Sequence, residues 1–109
     1  MKYVYTIIRQ QFMPKFEVRL QEVGTIDFAF TSKEKAIAQM MKIKELIDSG
    51  EWHMKSPNNP VEHKIEYYNI YALTKDCRQT MIDMKVTHSN GTYTIYQLKR
   101  CELNRGYEI

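Results

Sequence analysis

A chain of 109 residues with 43% hydrophobic content is the length of one domain and can bury a single core without metals or disulfides. Its net charge of +3 is spread among interleaved Lys, Arg, Asp and Glu, which excludes a polybasic tail or arm. Two cysteines, Cys77 and Cys101, are too few for a secreted disulfide scaffold, and four glycines leave little material for a phosphate-binding loop.

Tyr3 to Gln10 alternates with apolar side chains on both sides, the pattern of an interior strand. Pro14 interrupts, since it cannot donate to a ladder. Phe16, Val18 and Leu20 then alternate with Glu17, Arg19 and Gln21, and Ile26, Phe28 and Phe30 continue the apolar side after Gly24, so a hairpin with one solvated face is expected. The chain passes directly into the clearest helix, Thr31 to Gly50. Thr31 and Glu34 have capping-box spacing, Gly50 supplies the stop, and Ala36, Ile37, Met40, Ile43 and Ile47 form one stripe.

The segment EWHMKSPNNPVEH reads as a long loop, with Trp52 and Met54 pinning its near end. Lys64 to Thr74 resumes with Ile65, Tyr67, Tyr71 and Leu73 opposing Tyr68, Ile70 and Ala72, again apolar on both sides and so expected to be central. Residues 80–88 and 92–103 read as a hairpin about Asn90-Gly91, the dipeptide of a two-residue type I′ turn. Helical spacing of Cys77, Met81 and Met84 leaves a short helix over 74–84 open as the alternative. The two-residue turn pairs Val86 with Ile95, Met84 with Gln97 and Ile82 with Lys99 on the more apolar face, taken as the core. It sends Lys85, Tyr96, Leu98, Arg100 and Met81 to the opposite face. Residues 104–109 are expected to be a tail.

These elements predict an α+β fold: a single domain over residues 1–109, with an antiparallel sheet of about five strands and one long helix packed on one face. One helix covers one face. The other face, carrying Tyr96 and Leu98 among Lys85 and Arg100, is the expected contact for a protein partner or a second copy, with Trp52 on the long loop as a further candidate.

Catalytic signatures are missing. No H-E-x-x-H, C-x-x-C or G-x-S-x-G occurs, and His53, His63 and His88 match no common zinc spacing, so neither metal nor cofactor is expected and the chain reads as non-enzymatic. The register places Cys101 opposite Thr80 and Cys77 on the other face, so both thiols are expected to be reduced. Lys85, Tyr96, Lys99, Arg100 and Arg105 offer cations beside an aromatic, which keeps RNA or single-stranded nucleic acid as the alternative ligand. The N-terminal MKYVYTIIRQQ lacks the apolar centre of a signal peptide and no stretch reaches the length of a membrane span, so a cytoplasmic location without membrane contact is expected.

Tyr3-Val4-Tyr5-Thr6 and, after the hairpin, Phe28-Ala29-Phe30-Thr31-Ser32-Lys33-Glu34-Lys35-Ala36 resemble a pattern in small uncharacterised proteins of phages and mobile elements. The resemblance covers residues 3–47 and carries no catalytic residues across. It implies an inhibitor or accessory factor that binds host machinery, as anti-CRISPR proteins do.

Overall fold

The computed structural model describes residues 2–12, 25–50, 62–74 and 78–102. Within them lie β1 (Tyr3–Phe12), β2 (Thr25–Phe30), α1 (Lys33–Asp48), β3 (His63–Ile70), β4 (Arg78–His88) and β5 (Tyr93–Glu102). The strands form one antiparallel sheet in the order β2-β1-β5-β4-β3, so the class is α+β. The hairpin half at Phe16 to Leu20, the loop with Trp52, His53 and Met54, Cys77, Arg105 and the tail at 104–109 lie outside the described residues. No described helix is long and apolar enough to cross a membrane.

β1 is interior, between β2 and β5, as its two apolar sides require. The N-cap falls one residue later than the sequence suggests, and the expected capping box is lost because the residue three on from Ser32 is Lys35. Ser32, not Thr31, is the N-cap, and its hydroxyl accepts from the Lys35 N–H at 3.3 Å. At the other end Gly50 adopts φ +76 after the C-cap Ser49, and the Ser49 N–H reaches the Glu45 carbonyl at 2.9 Å. Ala36, Met40, Ile43 and Ile47 are the buried helix residues, and they share one core cluster with Tyr5, Ile7, Ile82, Met84, Val86, Tyr96 and Leu98 of the sheet.

The hairpin turn corrects the expected register. The Gly91 N–H donates to the His88 carbonyl at 3.0 Å, the His88 N–H donates to the Thr92 carbonyl at 3.0 Å, and Gly91 has φ +87. This is a three-residue loop closed by a left-handed glycine, not a two-residue turn. The Asn90 side-chain carbonyl locks it, accepting from the Thr92 N–H at 3.1 Å and the Thr92 hydroxyl at 2.6 Å. The extra residue pairs Val86 with Thr94, Met84 with Tyr96 and Ile82 with Leu98. Because side chains alternate, this slip of one moves the whole of β5 onto the opposite face.

Residues 78–88 are strand, as the hairpin reading expects, and not the alternative helix. The register shift between Thr80 and Ile82 makes Met81 the extra residue of a bulge. Met81 therefore joins Ile82 in the core instead of facing away. Among the described strands the stretch from Lys64, expected to be central, is an edge strand ending at Ile70, with β4 as its one neighbour. Its apolar C-terminal end is left on the surface.

Candidate functional site

The residues that the sequence marks as a contact surface do not stay together. Tyr96 is 3%, Leu98 0% and Arg100 8% exposed, all on the core face, as the hairpin register dictates. Burial pushes the Tyr96 phenol up to about 12, against a smaller opposing pull from Arg9, which pairs with Asp27 at 3.2 Å. Arg100 is a structural clamp. Its guanidinium donates to the Thr74 carbonyl at 2.6 Å and lies 4.5 Å over the Tyr3 ring.

Lys85 does lie on the face away from the core, where it pairs with Glu66 at 2.9 Å and sits 4.6 Å over the Tyr93 ring. The aromatic beside it is thus Tyr93, itself stacked on Phe12 at 4.8 Å, and not Tyr96. Of the expected cation cluster, Lys85 and Lys99 share this face while Arg100 points inward. Cys101 is a free, half-buried thiol opposite Arg78 and Val4, displaced by two residues from the expected partner Thr80, one from the turn and one from the bulge at Met81.

The open feature of the molecule lies elsewhere, at the β3 edge. A groove of about 550 Å³ runs between α1 and the end of β3, lined by Ile37, Met41, Tyr68, Ile70, Leu73 and Met81. Ile70 is 74% exposed and Met41 50%, and Tyr71 and Leu73 are also exposed. The run after β3 is not loose. Gln79 holds it through the Thr74 N–H at 2.7 Å, the Thr74 hydroxyl at 3.1 Å and the Ala72 carbonyl, and Arg100 takes the Thr74 carbonyl. Tyr71 is fixed by its N–H to the Met81 carbonyl at 2.8 Å and its hydroxyl to Asp83 at 3.0 Å. The Tyr68 hydroxyl is shielded from solvent and makes no hydrogen bond, with Lys44 5.8 Å from its ring. Lys33, Lys44 and Glu45 of the helix also line the groove.

The one sequence signal for this groove was the two-sided apolar pattern of residues 64–74. On its own that pattern reads as burial within the sheet, because pairing order between distant strands is not written in local periodicity.

At the other end of β3 two histidines meet. Their Nδ1 atoms are 2.7 Å apart with the rings edge-on, and His88 Nε2 is 2.7 Å from the Thr94 hydroxyl. One Nδ1 must carry the shared proton and the other must accept, so the contact does not survive double protonation. Burial, and secondarily the His63 charge, hold the His88 imidazole below its usual 6.5. The unfolded chain then takes up the proton first as pH falls. This contribution to stability is intact above 6.5 and is lost as pH drops below it towards the folded-state value. Thermal melts from about pH 7.5 to about pH 5.5 should show a falling midpoint, flattened by His88→Gln. An equal slope in that variant would assign the pH dependence to other groups.

Among the described residues no three His, Cys, Asp or Glu side chains converge as metal ligands. Compared with protein-family models, with curated proteins and with solved structures, the chain finds no match in any of the three.

Proposed function

We propose that this chain is a non-enzymatic protein-binding module, with α1 packed on the core face of the sheet and the partner seated in the groove between α1 and β3. The observation that carries this is the exposed apolar group Met41, Ile70, Tyr71 and Leu73, gathered at one edge and held in place by Gln79 and Arg100. Apolar side chains concentrated on one patch favour association, whereas singly scattered ones do not. A free Cys101 suits a reducing, cytoplasmic setting. The resemblance to small phage and mobile-element proteins makes an inhibitor or accessory factor the class of module proposed.

A photo-crosslinking amino acid in place of Ile70, compared with one in place of Glu34 on the exposed start of α1, tests this in cells that make the protein. A protein adduct specific to position 70 is expected. Adducts equal at both positions, or none at 70, would remove the groove as the contact.

The Phe12–Tyr93 stack with Lys85 above it supports a second proposal, single-stranded nucleic acid on the outer sheet face. It ranks lower because Glu66 already neutralises Lys85 and the two rings cover one another. Salt-dependent binding of an oligonucleotide, weakened by Lys85→Ala, would reverse that order.

A further inference from the structure

Resting on the groove as the contact surface, we propose that its occupant is a second copy of this chain, whose β3 pairs antiparallel with this β3 about a twofold axis at Asn69. The backbone is set up for this. The Tyr71 N–H donates to the Met81 carbonyl, so residue 71 turns its hydrogen-bonding groups towards β4, and by alternation Asn69 does the same. Tyr68 and Ile70 therefore turn theirs to the free edge, and both line the groove.

An axis at Asn69 places Tyr68 opposite the partner's Ile70, each exchanging two backbone hydrogen bonds, and Tyr67 opposite the partner's Tyr71. Directly opposed residues share a face, so Ile70 of each copy, 74% exposed in the single chain, enters the groove beside Tyr68 of the other. Residues 67–71 contain no charge, so the register sets no like charges against each other. Lys64 and the bulged residue Glu66 fall outside it.

Among the described strands the opposite edge of the sheet is protected where β3 is not. β2 carries a bulge at its middle and the inward charge of Asp27, paired with Arg9, both of which oppose strand addition. A foreign extended strand could meet the same backbone groups, but the apolar-polar-apolar run Tyr68-Asn69-Ile70 is its own complement, which favours a second copy.

Sedimentation velocity of the full chain should give twice the 13.1 kDa monomer mass. Ile70→Asp should weaken the dimer on the order of 100-fold by burying an unpaired charge at the interface, without lowering the melting temperature measured at concentrations dilute enough for both proteins to be monomeric, since the site is exposed in the monomer. Asn69→Cys, in a Cys77→Ser, Cys101→Ser background, should form a dimer linked by a disulfide under mild oxidation, because residues on the axis form a close non-hydrogen-bonded pair. A dimer unaffected by Ile70→Asp, or one that Asn69→Cys fails to link, would overturn the β3 interface. A monomeric chain would overturn the second copy as occupant. In that case an adduct to a different protein at position 70 would keep the groove as a docking site, and no adduct would remove both proposals.

Discussion

Leu98→Ala is expected to cost about 2–5 kcal/mol of unfolding free energy, a large share of the roughly 5–15 kcal/mol that holds a domain of this kind together. Leu98 is fully buried, opposite Ile7 on β1 and Ile82 on β4, at the middle of the two broadest strand pairings. Truncation there leaves a cavity walled by two strands that cannot both move in. Its neighbour Gln97 points to the other face, so Gln97→Ala should change stability by less than about 0.5 kcal/mol. Urea midpoints at constant slope decide the matter. Had the hairpin closed with a two-residue turn, Gln97 would face the core and Leu98 the surface, and the order of the two effects would be reversed.

A comparable loss, again about 2–5 kcal/mol, is expected for Ile43→Ala, because Ile43 lies in the cluster that α1 shares with Tyr5, Met84 and Tyr96. Met41, two residues earlier and half exposed on the groove rim, should be nearly silent as Met41→Ala in the monomer. Equal effects at both positions in denaturant titrations would mean that the helix is held by its intrinsic propensity rather than by one stripe.

The helix was legible because three local signals agree on it: a polar cap near residue 32, a stripe from Ala36 to Ile47, and Gly50 in the left-handed region. Strand existence was legible for similar reasons. The face of β5 was not. Asn90-Gly91 marks the position of the turn but fits both a two-residue loop and a three-residue loop closed by glycine, and that single residue decides whether Tyr96, Leu98 and Arg100 are core or surface. Hydrophobicity could not settle it, since Tyr93 and Ile95 on one face compete with Tyr96 and Leu98 on the other. The bulge at Met81 hid a further inward side chain behind broken alternation. The groove is built from α1, β3 and the run held by Gln79 and Arg100, and its openness depends on β3 being last in the sheet, a long-range outcome that no window of sequence contains.

The sheet order also governs when the molecule can fold. β1, the first of the described strands, finds its longest pairing with β5, the last of them, from Tyr3 against Glu102 to Phe12 against Tyr93. Until β5 has emerged from the ribosome, the β1–β2 and β3–β4 pairs have no strand in common and their apolar sides wait in water. Closing that span delays the reward for ordering, which places this chain among slow folders. Arrest of synthesis before Tyr93 should leave two unjoined halves, exposed to proteases and chaperones.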